Sequence, residues 1–349
     1  MKVVVNCRFL TQPITGVQQY ALRFSLYLRD HLGEDIEFVS SPGILHPTLA
    51  ENLGVKVIGN TKGFFWEQVE LPFWLKKSGS PLLVNFGNVA PQYYANQIVT
   101  IHDLSTLEHP EWYSNKFARA YKFMIPQVIQ HSKMVIAVSN FTKQRMVELL
   151  EVNPQKIEVI YNCLDLPENT VPVSPSPYFL SVGSFTGRKN FTTLLRAFEL
   201  AAIPGYSLKI RGDQESIFKE EKALQEQISG RDSIYFIEPL NYTAYLDLIK
   251  NATALINTSV YEGFGMPNLE ALAQGVPVIC SDIEVFREVA GPCAQYTDPL
   301  NEQQLAGIMQ NLVQHQVTET ERMQRINRAK MFNTGVEGKK LVDLVVRNL

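Results

Sequence analysis

Glu262 and Glu270, two carboxylates eight residues apart, bracket a glycine-punctuated turn in the run SVYEGFGMPNLEALAQGVPVICSD at positions 259–282. The run reads as a strand end, a turn, a short helix and a second apolar strand. Pro267 suits the first helical position, where a missing N–H costs nothing. Glu270 then falls in the first helical turn, near the positive end of the helix dipole. Gly265 and Met266 would offer backbone N–H groups at the same end, where an anion is favoured. Such a unit cradles a phosphate between two acids. A nucleotide-sugar asks for that combination: amides for the diphosphate, one carboxylate for ribose hydroxyls and one for sugar hydroxyls. The same residues also read as a buried strand-to-helix turn with a capping glutamate.

A second unit, YFLSVGSFTGRKNFTTLLRAFE, ends a strand at Gly183 and carries Gly187, Arg188 and Lys189 in the turn. Asn190 can cap the helix that follows. Two adjacent cations beside a helix N-terminus suit an anion, although alone they would also suit a solvated surface turn. In FLTQPITGVQQY, Gly16 stands at a helix entry, where glycine lets backbone approach a phosphate closely. One glycine is far less than a full G-x-G-x-x-G fingerprint. In QIVTIHDLSTLEHPEWY, His102 and Asp103 stand where an apolar strand ends. His102 could donate a hydrogen bond to a sugar hydroxyl, and Asp103 could orient an acceptor hydroxyl or the imidazole. A capping Asp beside a satisfied His is the alternative. Ser139 and Asn140 read as ordinary helix caps, and His31, His46, His109 and His131 lack metal-ligand spacing. No D-x-D ends a predicted strand, so no metal is expected. Phe64, Phe65, Trp66, Phe73 and Trp74 are expected in packing rather than on a lipid- or acceptor-facing surface.

The elements that must position these residues alternate strand and helix from end to end, which predicts parallel sheets flanked by helices. Strands are expected at 3–7, 36–40, 82–86, 98–102, 135–139 and 157–162. A helix is expected at 17–28, where Tyr20, Ala21, Phe24 and Leu28 recur at helical spacing. The run DLPENTVPVSPSP then carries four prolines, which stiffen a chain and forbid a helix. The pattern restarts with strands at 178–183, 207–212, 234–239, 254–259 and 277–282, and helices at 191–202, 215–228, 243–250 and 267–274. The expected division is 1–165, a linker at 166–177, 178–330, and a C-terminal helix at 331–349 able to pack back on the first domain. Two such halves would leave a cleft, with strand C-terminal ends facing it.

The 349 residues suffice for two domains, with 45% hydrophobic and 19% charged residues, as in a globular protein. A net charge of −3 gives no basic field for nucleic acid. Cys7, Cys163, Cys280 and Cys293 form no C-x-x-C pair, which speaks against structural zinc and disulfides and suits reduced cytosolic thiols. The apolar start MKVVVNCRF is too short for a signal peptide, and no run reaches the ~18 apolar residues of a membrane span. A cytoplasmic protein is expected, compatible with peripheral contact at the inner face of a membrane.

Together these segments resemble the retaining nucleotide-sugar glycosyltransferases of family four. They run through TGVQQY, LVNFGNVAP, VTIHDLSTLEHPEWYS, VSNFTK, VIYNCLD, VGSFTGRKN, the E-x7-E segment and EVFREVAGPCAQYTDP. The resemblance implies a GT-B architecture: α/β, two facing Rossmann-like doubly wound parallel-sheet domains with an interdomain cleft. It implies that Arg188 and Lys189 hold the donor diphosphate, with amides from Gly265 and Met266, and that Glu270 binds the ribose. Glu262 would touch the donor sugar, His102 would lie over it, and Gly16 would approach the phosphates from the first domain. The implied donor is a UDP- or GDP-sugar, without further cofactor, and the acceptor a glycan or lipid-linked saccharide joined through an α-linkage. Two positions depart from the family pattern: Cys163 replaces a usual Gly, and Gln19 a frequent Arg. A nucleotide-sugar epimerase of the same fold, a phosphorylase needing a pyridoxal-phosphate lysine, and a non-catalytic partner subunit are the competing readings. No motif marks such a lysine, and the glutamates and the Arg-Lys pair are intact.

Overall fold

The computed structural model describes residues 3–165, 175–184, 186–212, 233–238 and 240–349. They form two compact units, Met1–Cys163 with Phe332–Leu349, and Leu164–Met331. Most of the proline-rich run and the helix expected at 215–228 lie outside the described residues.

The first unit holds a seven-stranded parallel sheet in the order β3-β2-β1-β4-β5-β6-β7. Its strands are β1 (Val3–Asn6), β2 (Ile36–Ser40), β3 (Lys56–Val57), β4 (Leu82–Asn85), β5 (Gln97–Ile101), β6 (Met134–Ala137) and β7 (Ile157–Val159). The second unit holds a six-stranded parallel sheet in the order β10-β9-β8-β11-β12-β13. These are β8 (Ser176–Val182), β9 (Ser207–Arg211), β10 (Ile234–Ile237), β11 (Ala252–Asn257), β12 (Val278–Ser281) and β13 (Gln295–Thr297). Ser176 and Pro177, expected in the linker, are the first residues of β8.

Central strands such as VVVN and ATALIN are buried along their whole length. That is why they read as unbroken apolar runs: a parallel sheet covered on both faces has no solvent side to alternate with. In each unit the chain starts in the middle of the sheet and winds outward both ways. The order therefore reverses between β1 and β4, and again between β8 and β11. At such a switch point the two connections leave in opposite directions and open a crevice beyond the strand C-termini.

Packing on the second sheet centres on Phe179, Leu194, Phe198, Ile210, Ile256 and Met309. In the first unit, Val99, Ile101, Ile125, Val128 and Val135 pack on one side of the sheet, while Val4, Trp66, Leu71 and Leu83 form a separate cluster. The last helix, Thr334–Val346, lies against the helix Gly16–Leu32 of the first unit. A Cβ at Gly338 would sit 2.6 Å from the Tyr27 ring, so only glycine permits that approach. Glu337 there accepts the Tyr161 N–H at 2.9 Å.

Candidate active site

In the second unit, the β8 turn and the β11 turn are bound to each other. Val260 N–H donates to the Arg188 carbonyl at 2.8 Å, and Thr258 Oγ1 donates to the Lys189 carbonyl at 3.0 Å. This backbone stitching carries Arg188 and Lys189 to Glu262. Arg188 Nη1 lies 2.7 Å from Glu262 Oε2, while Lys189 Nζ pairs with Oε1. Ser259 Oγ lies 2.7 Å from Asn257 Oδ1 and 3.0 Å from Glu262 Oε1, and its one proton is donated to either of them. Asn257 in turn donates to Asn268 Oδ1 at 3.0 Å. Burial alone would raise the Glu262 carboxyl, but Arg188 and Lys189 outweigh it and hold it down at about 2. The site is thus an ionised acid between two cations, with an excess of one positive charge.

Gly183 makes room for this arrangement, since a Cβ there would meet Lys189 Cε at 2.8 Å. Lys189 itself is buried. Asn190 is the residue before the helix Phe191–Ala201, but its side chain does not cap that helix. It takes a left-handed conformation (φ 50°), donates to Pro299 O at 2.6 Å and accepts from Thr193 Oγ1.

Gly265 precedes the helix Met266–Ala273 with φ +94°, a conformation costly for other residues. A Cβ there would also strike Phe286 at 2.6 Å. Glycine is therefore required by the fold itself. With the helix starting at Met266, Glu270 is its fifth residue and lies past the first turn expected for it. Its carboxylate is buried and accepts from Tyr245 OH at 2.5 Å and Tyr242 OH at 3.4 Å. Burial, then the Glu270 charge, pushes the Tyr245 phenol well up, so it stays a donor.

In the first unit a cavity of about 240 Å³ lies beyond the ends of β1, β4 and β5, lined by Asn6, Asn85, Gln18 and His102 among others. Of the expected residues His102 lines it, while Gly16 and Asp103 stand next in sequence to lining residues. His102 Nε2 lies 2.8 Å from the Phe86 carbonyl, which can only accept, so this nitrogen carries the proton. Burial lowers the imidazole pKa, against a smaller opposing effect of that carbonyl and of Asp103. The ring is neutral and Nδ1 is left an acceptor, not the donor expected from sequence. Asp103 Oδ1 accepts from Ser105 N–H at 3.0 Å and Ser105 Oγ at 2.6 Å, tying down the turn before the helix Ser105–Glu108. Gly16 opens the helix Gly16–Leu32, preceded by Thr15. A Cβ at Gly16 would meet nothing within 4 Å, so no neighbour within the fold demands glycine there.

Of the aromatic run, Trp66 is fully buried, but Phe64, Phe65 and Phe73 are exposed, against the expectation of packing. They stand on short helical segments whose inward face is already filled by Trp66, Leu71 and Leu75. Among the described residues no group of three or more His, Cys, Asp or Glu side chains could hold a metal ion. No helix among them is long and apolar enough to cross a membrane.

Sequence reasoning did not single out Ser259, Asn257, Asn268, Tyr242 or Tyr245. The signal for the tyrosines was present: three residues apart, they share one helix face. Nor did it single out Glu67 and Arg8, paired at 3.1 Å on the wall of the first unit's cavity. Glu67 and Glu70 both stand in the aromatic run, and nothing local marks which of them is buried.

Residues 166–331 match the family model described as glycosyl transferases group 1, and residues 14–168 match glycosyltransferase family 4. The O-antigen chain mannosyltransferase RfbU of Salmonella typhimurium is 26% identical over 332 residues, covering 89% of this chain and 91% of that protein. The O-antigen chain mannosyltransferase B of Escherichia coli is 26% identical over 264 residues, covering 70% and 68%. Among solved structures, that of Anabaena HepE in complex with UDP-glucose superposes with a TM-score of 0.75 at 18% identity, covering 99% of this chain and all of that one.

Proposed function

The chain belongs to the group 1 glycosyltransferases, and we propose that it moves a hexose from a nucleotide-diphosphate-sugar to a hydroxyl of a glycan or lipid-linked acceptor. The O-antigen mannosyltransferases among its relatives support mannose as the sugar and an envelope polysaccharide as the product. The donor is a UDP- or GDP-sugar, a reading supported by the UDP-glucose complex of HepE.

One observation carries this reading: two adjacent cations, Arg188 and Lys189, more than 70 residues before Glu262 in sequence, converge on it. Gly265 and Met266 stand at the N-terminus of the next helix, three and four residues further along the chain. A diphosphate draws on the same guanidinium, ammonium and amides. As the sugar–phosphate bond breaks, charge grows on the leaving group, and donors that bind it more strongly then lower the barrier. Arg188 and Lys189 supply the charge neutralisation that a metal provides in other transferases, which supports a metal-independent reaction. Glu262, ionised and gripped from both oxygens, serves as an acceptor for sugar hydroxyls rather than as a nucleophile. That supports same-face displacement with retention and an α-linkage. Glu270 binds the ribose by exchanging its tyrosine partners for hydroxyls. Gly16, free of steric demands from its own fold, brings the helix entry to the phosphates. His102 accepts a sugar hydroxyl at Nδ1, and Asp103 positions the turn that follows it. Peripheral contact with the inner face of a membrane fits the exposed Phe64, Phe65 and Phe73.

Thermal shift against a panel of UDP- and GDP-sugars tests the donor site, because a ligand that binds only the folded state raises Tm with occupancy. One nucleotide-sugar should stabilise the wild type, and Arg188→Ala and Glu270→Ala should abolish the shift. A wild-type chain indifferent to every donor would overturn the reading.

A further inference from the structure

We propose that the cavity of the first unit is a subsite for a neutral, hydroxyl-rich sugar of the acceptor, with Glu67 as the residue that reads its hydroxyls. Its role toward an acceptor rests on the glycosyl-transfer reading above; its chemistry rests on the cavity itself.

Glu67 lines that cavity and is only 2% exposed. Asn6 Nδ2 donates to its Oε1 at 3.0 Å, and Arg8 Nε donates to the same oxygen at 3.1 Å. Oε2 is buried and has no hydrogen-bond partner. A buried acceptor left unsatisfied is costly, and native structures rarely leave one without a reason. A donor arriving through the cavity would satisfy it.

The charge balance says which donor. Arg8 and Glu67 cancel, so the wall offers an anion no surplus positive charge and a cation no surplus negative charge. A neutral hydroxyl meets neither penalty. Gln12, Gln18, Asn88 and His102 ring the same space with donors and acceptors, while Phe86 and Tyr121 supply apolar faces. Planar polar groups with an aromatic wall suit a molecule that is hydroxylated on its rim and apolar on its face. At about 240 Å³ the cavity is smaller than the roughly 300–1,000 Å³ of clefts that take a whole drug-sized ligand, and suits one sugar ring.

Glu67 is also held rigidly. It lies in a π-helical turn, Trp66–Glu70, a local irregularity frequent at functional sites. Trp66 Nε1 donates to Ile58 O at 2.7 Å, Gln68 bridges Ala90 O and Gln92 N–H, and Glu70 accepts two backbone N–H groups. Outside the cavity the wall continues: Tyr121 stacks on Phe117 at 4.1 Å, and Phe117 on Tyr113 at 5.6 Å. This ladder extends the aromatic face to where a second sugar of an oligosaccharide would lie.

Saturation-transfer NMR on the full chain tests the subsite with methyl α-mannopyranoside, methyl α-glucopyranoside, α-linked mannotriose and mannose 6-phosphate. At least one neutral sugar should receive saturation and the phosphorylated one should not. Glu67→Gln keeps the shape and the Oε1 contacts but turns the free acceptor into a donor. It should weaken the neutral signal about tenfold, the scale of one buried hydrogen bond, while donor-induced thermal shift stays at the wild-type value. Phe117→Ala should weaken mannotriose and spare the monosaccharide. No signal from any neutral sugar, equal signals from wild type and Glu67→Gln, or a stronger signal from mannose 6-phosphate overturns the proposal. Absence of any donor-induced shift in the wild type would instead sink the glycosyl-transfer reading, leaving a sugar site without that role.

Discussion

Both units gather their polar groups beyond the strand ends of a switch point, yet they spend charge differently. In the second unit Glu262 faces Arg188 and Lys189, leaving an excess positive charge and a carboxyl held down at about 2. In the first unit Glu67 faces Arg8 and the Asn6 amide, and burial outweighs that cation and raises its carboxyl. Two buried glutamates beyond the strand ends of similar sheets thus have opposite responses to protons. The cations within reach decide the sign: burial is the largest single influence at both, Arg8 alone leaves it dominant at Glu67, and Arg188 with Lys189 overcomes it at Glu262.

The largest consequence concerns turnover. Arg188→Ala or Lys189→Ala should lower kcat about a hundredfold, the scale of losing one charge-stabilising contact in a transition state, read as sugar transferred per enzyme under saturating donor. An unchanged kcat would erase the distinction between the two sites.

Next comes stability against pH. Glu262 has a folded pKa below its ordinary 4.5, so its contribution is complete above pH 4.5 and drains away as pH falls towards 2. On the order of 3 kcal/mol is involved. Glu67 has a folded pKa above 4.5, so stability is lost as pH rises through and above that value. Urea melts from pH 3 to pH 7 should show Glu262→Gln flattening the rise of stability with pH, and Glu67→Gln steepening it. Slopes changing in the same direction would refute the contrast.

The glycines give the finest comparison. Gly265→Ala meets both a positive φ and the Phe286 ring, and should cost roughly 2–4 kcal/mol in chemical denaturation. Gly16→Ala meets neither and should stay within about 0.5 kcal/mol of wild type, while weakening donor binding in the thermal-shift panel. A normal donor shift in Gly16→Ala would remove Gly16 from the phosphate site.

Most sheet strands were legible, the central ones because burial on both faces writes them as continuous apolar runs. The exceptions were β3, two exposed residues, and β13, three residues flanked by polar chain, where no such run exists. The turns bearing Arg188, Lys189, Glu262 and Gly265 were legible because glycine and adjacent charges mark a strand end locally. Asn190 was misjudged as a cap because its partner, Pro299, lies 109 residues away. His102 was assigned the wrong hydrogen-bonding role for the same reason: the Phe86 carbonyl that fixes its tautomer belongs to another strand end.

Residue order alone established an alternating α/β chain of two halves and the local turns that carry glycine and adjacent charges, since periodicity and turn chemistry act over a few neighbouring residues. Tertiary structure alone decided which charges meet. The pairing of Lys189 with Glu262 and the burial of Glu67 beside Arg8 depend on sheet order, and burial and Coulomb energy are set by distance through space rather than along the chain.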